Sequence, residues 1–378
     1  MTTPVRKATL NIACLQLNSQ PFHLDDTLQR AHSLLTKWQA QADFKKPDIV
    51  VFSEFALTGY NFNSRKEILP YTETSNSGVS FELAKKISLK FGCYTIIGYP
   101  EYHKNNNTPN NSNSNSNGNS ASINTSNEMT NNLDKDNAIL YNSANVVSPK
   151  GHSIFNYRKS FLYDTDYLWG CQENPNGFQS LKLEFPSKNI SINTSFGICM
   201  DLNPYKFTAP FDAFEFAKFN VDNKIDLIIC PMSWLHSYSI TNFSKPEDIN
   251  FEEKRILQCL SKENIPHKGI QDENKFQFNL LHSSSSLESV DEYLHMNKPD
   301  LNNMNYWVYR LLPVIDSKRD VSVVFANRSG IEDNNTIFAG SSSMVSFGDN
   351  VRVWGALGKG VEGVLQKDVP VQGCEIIS

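Results

Sequence analysis

The chain reads as an α/β (α+β) protein with its sheet buried under helices, and three observations predict this. Short, almost wholly apolar runs recur, among them "PDIVVFSEF", "IDLIICPMSW" and "RDVSVVFANRSG"; runs of this kind form strands covered on both faces. Segments with helical spacing alternate with them. The 378 residues, 39% of them hydrophobic, are enough to fill a large core.

Taken in order, "LDDTLQRAHSLLTKWQA" places Leu24, Leu28, Ala31, Leu35 and Trp38 on one helical face. "PDIVVFSEF" is the first of the buried runs. "SFELAKKISLKFG" predicts a second helix, with Phe81, Ala84, Ile87 and Phe91 inward and Gly92 as its C-cap. "CYTIIGYPEY" and "AILYNSANVVSPKGHSIFNYRK" read as strands, the latter with a hairpin at Pro149-Lys150-Gly151. Between these two lies a stretch at about 105–132 that is almost all Asn and Ser. It has nothing to bury and is expected to be a disordered insertion within one domain spanning 1–378. "NISINTSFGIC" alternates, with Ile190, Ile192, Phe196 and Ile198 pointing one way. A second, irregular insertion is expected at about 237–301, with a helix in "FEEKRILQCLSKE". Gly348-Asp349-Asn350 marks a late hairpin.

The formal net charge of −5 carries no basic excess, which argues against nucleic acid or an anionic membrane as partner. No run of about 18 apolar residues suggests a membrane span. The N-terminus lacks a clean apolar segment followed by a cleavage site, so secretion is not indicated. Seven scattered cysteines without a C-x-x-C pair fit a reducing, intracellular compartment, with the cytoplasm as the expected location. No metal-ligand spacing is visible, and no cofactor is expected.

Polar chemistry begins where apolar runs stop. "IVVFSE" ends at Glu54, the strand after Gly151 ends near Lys159, "SFGIC" ends at Cys199, "LIICPMSW" ends at Trp234, and "VVFANR" ends at Asn327 and Arg328. Loops converge at the ends of strands in α/β sheets, and sites gather there. Taken singly, each residue has a bland reading: a solvated Glu or Lys, a small buried Cys. Their occurrence together, in the order Glu, Lys, Cys, is the signal.

That order and its surroundings resemble the nitrilase superfamily of C–N hydrolases. The matching stretches are "VFSEFALTGY", "NYRKSFLY" and "FGICMDLNPYKF", with weaker support from "CPMSW", "ANRSGIED" and "FAGSSSMVSFG". "LYDTDYLWGCQENPNGF", "CMDLNPYKF" and "PDLNNMNYWVYRLLP" resemble the yeast-type protein N-terminal amidases within it. The superfamily more often has an Arg-Phe pair after the cysteine. Here the loop reads Asn203-Pro204-Tyr205-Lys206-Phe207, which argues against a generic nitrilase or carbamoylase. The resemblance implies a four-layer αββα sandwich. It also implies deamidation of N-terminal Asn and Gln of polypeptides to Asp and Glu, feeding an N-degron pathway.

An amide is a poor electrophile with a poor leaving group, and a covalent intermediate divides its barrier into two steps. Cys199 is the expected nucleophile and Glu54 the expected base. Lys159, with the backbone N–H of Met200, is expected to stabilise the oxyanion. The resemblance implies Glu173 as a second carboxylate that orients Lys159. Cys171 is a rival nucleophile, but it lies in a polar loop with no strand to fix it; Cys230 ends a buried run and is expected in the core. Asp201, Asp164 and Asp166 are candidates to receive the substrate's α-ammonium, Asp201 equally a structural cap, and Trp234 is a candidate pocket wall. The partner is a polypeptide N-terminus, with N-degron components behind it. Two other readings stay open: hydrolysis of a small free amide, and a non-catalytic binding protein on the same scaffold.

Overall fold

The computed structural model describes residues 5–104, 138–236, 239, 297–333 and 336–376. The Asn/Ser-rich segment at 105–132, nearly all of 237–301 and the helix expected over 251–263 lie outside the described residues.

Strands β1 (Val5–Gln16), β2 (Ile49–Phe52), β3 (Tyr94–His103), β4 (Ile139–Val147) and β5 (Ser153–Arg158) come first. They are followed by β6 (Ser180–Phe185), β7 (Ile190–Phe196), β8 (Leu227–Met232) and β9 (Val321–Asn327). A short pair, β10 (Ile331–Glu332) and β11 (Thr336–Ile337), stands apart, and β12 (Ser343–Phe347), β13 (Arg352–Ala356) and β14 (Gly363–Glu375) close the chain. The helices are α1 (Leu24–Gln39), α2 (Arg65–Ile68), α3 (Val79–Phe91), α4 (Asp164–Leu168), α5 (Glu215–Asp222), α6 (Leu301–Tyr309) and α7 (Leu312–Asp316).

Twelve strands join in the order β13-β12-β9-β8-β7-β14-β1-β2-β3-β4-β5, with β6 on β7. β7 and β14 are paired only at Ser191–Cys374 and Ile190–Glu375. At this narrow join the sheet folds over, so its two halves meet face to face. Leu10, Ile12, Cys14, Ile49 and Val51 of one half share a core with Ile192, Phe196, Ile229, Val324 and Met344 of the other.

The alternation of a strand explains how one apolar run serves two layers. In β1, Leu10, Ile12 and Cys14 face the other half-sheet, while Ala13 and Leu15 face outward. In β2, Ile49 and Val51 face in, and Val50 and Phe52 face out. The outward set is covered by Ala31, Leu35 and Trp38 of α1 and Phe81, Ala84, Ile87 and Phe91 of α3. Gly92 ends α3 in the left-handed conformation (φ 60°), as its place after the apolar periodicity predicts. On the far side, Phe216 and Ala217 of α5, Trp307 of α6 and Val314 of α7 cover the second half-sheet. The result is the expected αββα sandwich. Each fully buried Leu, Ile, Val or Phe in these layers contributes about 1.5–3 kcal/mol relative to exposure. Such packing holds the strand ends rigidly enough to carry a site.

Candidate active site

β2, β5, β7 and β8 deliver their last residues to one place. Glu54 follows β2, and the chain turns sharply after it at Phe55 (φ 46°). β3 passes close beneath: a Cβ on Gly98 would lie 2.4 Å from the Ser53 carbonyl oxygen and 2.6 Å from the Glu54 Cα. Only glycine permits that approach.

Glu54 and Lys159 are both fully buried. Glu54 Oε1 accepts hydrogen bonds from Lys159 Nζ and Asn142 Nδ2, each at 2.7 Å, and Oε2 accepts from the Ser233 backbone N–H at 2.7 Å. Lys159 Nζ also donates to Asp166 Oδ2 at 2.7 Å. Asp166 Oδ1 accepts from Asn142 Nδ2 at 3.1 Å, and Oδ2 from the Tyr163 N–H at 2.9 Å. One lysine is thus held between two carboxylates, and one asparagine bridges them. Burial works against the lysine's charge, but Asp166 and Glu54 outweigh it and raise its pKa well above the ordinary value.

Cys199 opens a short 3₁₀ turn, Cys199–Leu202, just past β7, and its φ of 44° is left-handed. A non-glycine residue holds that conformation only when its surroundings impose it. Asp201 supplies the constraint. Its Oδ2 accepts from the Ile198 N–H (2.7 Å) and the Tyr157 hydroxyl (2.8 Å), and its Oδ1 from the N–H groups of Ser160 (3.0 Å) and Phe161 (2.7 Å). The carboxylate therefore staples the cysteine turn to the loop that carries Lys159. Burial lifts its pKa to about 7, against the pull of those donors. Burial also pushes the Cys199 thiol well up, the charge of Glu54 adds to this, and Lys159 opposes it. Met200 is buried as the second residue of the turn, and its N–H belongs to the open start of that turn.

Two expectations need correction. Glu173 does not orient Lys159: its half-exposed carboxylate accepts from Tyr205 Oη at 2.9 Å and Tyr167 Oη at 3.4 Å, and lies 4.0 Å from Lys206 Nζ. The carboxylate against Lys159 is Asp166, because the single helical turn of α4 directs it inward. Asp201 and Asp166 are also unsuited to an α-ammonium, since both oxygens of each are committed within the protein. Asp164 is exposed at the start of α4.

Trp234 stands next to Ser233 and is half-buried. Its backbone N–H donates to Asn327 Oδ1 at 2.8 Å, and its indole N–H to Asn303 Oδ1 at 3.0 Å. Arg328 forms a buried ion pair with Glu332, which accepts from the N–H groups of Tyr60 (2.9 Å) and Asn61 (2.8 Å). This pair braces the loop after Glu54. Cys171 is buried among Phe55, Leu162 and Trp169, and Cys230 lies buried in β8; both are core.

Asn142 and Ser233 were missed in the sequence. Asn142 did leave a trace: a carboxamide in the middle of the apolar strand "AILYNSANVV" needs a buried partner. Ser233 acts through its backbone and left none.

The carbon–nitrogen hydrolase family model matches residues 11–198. The chain is 35% identical to the protein N-terminal amidase of Saccharomyces cerevisiae, over 96% of this chain and 95% of that one. Among solved structures, an N-terminal amidase with an Asn-Glu-Ala peptide matches with a TM-score of 0.79 at 33% identity, covering 99% of this chain and all of the other. A second, with a Gln-Val peptide, matches with a TM-score of 0.78 at 33% identity and the same coverage. The chain belongs to the carbon–nitrogen hydrolases, as an amidohydrolase of the protein N-terminal amidase branch.

Proposed function

We propose that this enzyme hydrolyses the side-chain amide of N-terminal Asn and Gln of polypeptides, releasing ammonia and leaving N-terminal Asp and Glu. The observation that carries the reading is the buried Glu54–Lys159–Asp166 cluster beside the strained Cys199 turn.

The thiol of Cys199 is held protonated by burial and by Glu54, so its proton must leave as it attacks. Glu54 takes that proton while Sγ bonds to the carboxamide carbon. Negative charge then develops on the former carbonyl oxygen. An ammonium has three donors, and Lys159 gives two of them to Glu54 and Asp166. The third, with the Met200 N–H, serves the oxyanion. Glu54 returns its proton to the departing nitrogen, ammonia leaves, and a thioester remains. Water then loses a proton to Glu54 and adds to the thioester carbon; collapse expels the thiolate, which recovers the proton. Asn142 and Asp166 act as positioning residues by fixing the lysine between its carboxylates.

The product, a chain with a new acidic N-terminus, is the input of an N-degron pathway, and the components of that pathway are the further partners by this reading. The cytoplasm is the proposed compartment, and the unpaired state of Cys14, Cys93, Cys171, Cys199, Cys230 and Cys374 supports it. No helix among the described residues is long and apolar enough to cross a membrane.

An ammonia-release assay tests the reading. Asn- and Gln-peptides should be turned over, and their N-acetylated forms should be inert. Faster turnover of free asparagine, free glutamine or a small aliphatic amide would overturn the peptide assignment.

A further inference from the structure

The base of the site is held by a backbone group that is itself held by a side chain. The Ser233 N–H donates to Glu54 Oε2 at 2.7 Å, and the Ser233 hydroxyl donates to the Glu54 carbonyl at 3.2 Å. The same N–H bears on the Cys199 thiol and draws its pKa down, against the larger effect of burial. One backbone donor thus serves both groups of the pair that exchanges a proton.

That donor lies just beyond the sheet ladder. β8 ends at Met232, whose register partner in β9 is Asn327, and Ser233 and Trp234 run on past this last pair. The Asn327 carboxamide takes over there. Its Oδ1 accepts from the Trp234 N–H at 2.8 Å, and its Nδ2 donates to the Trp234 carbonyl at 3.2 Å and to the Gly340 carbonyl at 2.9 Å. A carboxamide carries an acceptor and a donor side by side, so it can grip one residue at both its N–H and its C=O. The Ala339 N–H gives the Trp234 carbonyl a further bond at 2.8 Å. Ser233 is therefore flanked by Met232, fixed through the ladder, and by Trp234, fixed through a side chain. Peptide groups are planar and rigid, so two fixed neighbours leave the Ser233 N–H little freedom to turn. Asn327 is fully buried, and its own N–H and C=O are both tied to the Ser342 hydroxyl, at 3.0 and 2.9 Å. Burying a carboxamide is costly unless its polar atoms are bonded, and here those bonds go to the backbone of Trp234 and Gly340.

We infer that Asn327 is a positioning residue of the reaction, which acts by aiming the Ser233 N–H at Glu54 and Cys199. The inference rests on the reading above that Glu54 takes the Cys199 proton. The aligned donor serves proton transfer and the steps that follow it, and not the docking of substrate, so the effect of Asn327 falls on kcat.

The test measures ammonia release from an Asn-peptide, together with the rate at which iodoacetamide alkylates Cys199, followed by mass spectrometry. In that alkylation the Cys199 sulfur bonds to the reagent's methylene carbon, iodide leaves and Glu54 takes the thiol proton. No oxyanion forms, so the rate reports the Glu54–Cys199 pair alone. In Asn327→Ala, kcat should fall about 100-fold, which corresponds to about 2.7 kcal/mol, with KM within about twofold of native and alkylation slowed about tenfold. Asn327→Asp keeps the shape of the side chain and the acceptor for the Trp234 N–H but loses the donor. Its kcat should fall about tenfold, which keeps the test available if the alanine variant folds poorly. Ser342→Ala removes the hydroxyl tied to the Asn327 backbone and leaves the carboxamide in place, and its kcat should stay within about threefold of native. Native kcat in both Asn327 variants, a loss carried by KM, a fall in kcat with unchanged alkylation, or an equal loss in Ser342→Ala would each overturn the inference alone. Undiminished ammonia release from Cys199→Ala would remove the functional reading, and this inference with it.

Discussion

Two buried charge clusters lie within one loop of each other and are built differently. At the strand ends, Lys159 faces two carboxylates, Glu54 and Asp166, so the cluster holds one more negative than positive charge. Behind it, Arg328 and Glu332 form a one-to-one pair. Their remaining bonds go to the backbone: Arg328 to the Ser19 carbonyl, and Glu332 to the N–H groups of Tyr60 and Asn61. Burial lowers the pKa of Arg328 and raises that of Glu332, and their mutual attraction opposes both shifts. A balanced pair tied to backbone serves as a brace. An unbalanced cluster, with a thiol beside it and an ammonium donor to spare, is arranged to move a proton and to meet new charge.

The largest effect that this contrast predicts is confined to the reacting side. Cys199→Ala should lower ammonia release by about 10⁴-fold or more, because it removes the nucleophile. The melting temperature should stay within a few degrees, since the thiol makes little of the core. Activity above a few per cent would show that another group attacks.

The brace should behave in the opposite way. Glu332→Ala leaves Arg328 buried without its partner and frees the N–H groups of Tyr60 and Asn61, at a cost of about 3–5 kcal/mol. Urea unfolding should show that loss, while kcat per folded molecule at low temperature stays close to native. A large fall in kcat with unchanged stability would erase the distinction between the clusters.

A sharper comparison sets Asp166 against Glu173. Asp166→Asn removes a carboxylate from Lys159 and should lower kcat about 100-fold, with little change in KM. Glu173→Gln touches only Tyr205, Tyr167 and Lys206 at the surface and should change kcat less than about threefold. Equal losses, measured as kcat in one assay, would return Glu173 to the lysine.

The smallest effect concerns Asp201. Asn in its place turns one acceptor into a donor facing N–H groups, at a cost of about 1–3 kcal/mol. The folded protein holds the Asp201 proton up to about pH 7, against 3.8 for an ordinary aspartate. The native state therefore binds more protons than the unfolded state between these values. Its contribution to stability is full below about pH 4 and is lost as the pH rises towards 7. The stability gap between native and Asp201→Asn protein should accordingly narrow over that window. Urea midpoints at several pH values measure it, and a gap that widens with pH would show that the carboxylate ionises well below 7.

Much of the site was legible because burial writes itself into composition. Glu54, Lys159 and Cys199 each stand where an apolar run stops, and a strand buried on both faces has to be apolar until it emerges at its end. Asp166 and Glu173 were not distinguishable on the same basis. They lie seven residues apart in one polar stretch, and only the turn of α4 decides which of them points inward. Asp201 had two readings of equal weight, ammonium ligand and structural cap, and the structure shows the second. A carboxylate two residues from a nucleophile looks like a ligand for substrate until its four donors are seen, and three of those come from backbone groups that have no signature in the sequence.

The amino-acid sequence by itself determined the alternation of strands and helices, the C-cap at Gly92, the hairpins at 149–151 and 348–350 and the order of the three polar strand ends. These depend on spacing and on conformational preference, which act over a few residues. Only the tertiary structure decided that the sheet folds over at the two-residue join of β7 and β14, that Asn142 bridges Glu54 and Asp166, and that Arg328 and Glu332 brace the loop from behind. Those pairings join residues from 4 to 185 positions apart, and most join distant segments. Hydrogen bonding and desolvation select such partners by position in space, after the apolar layers have brought the strand ends together.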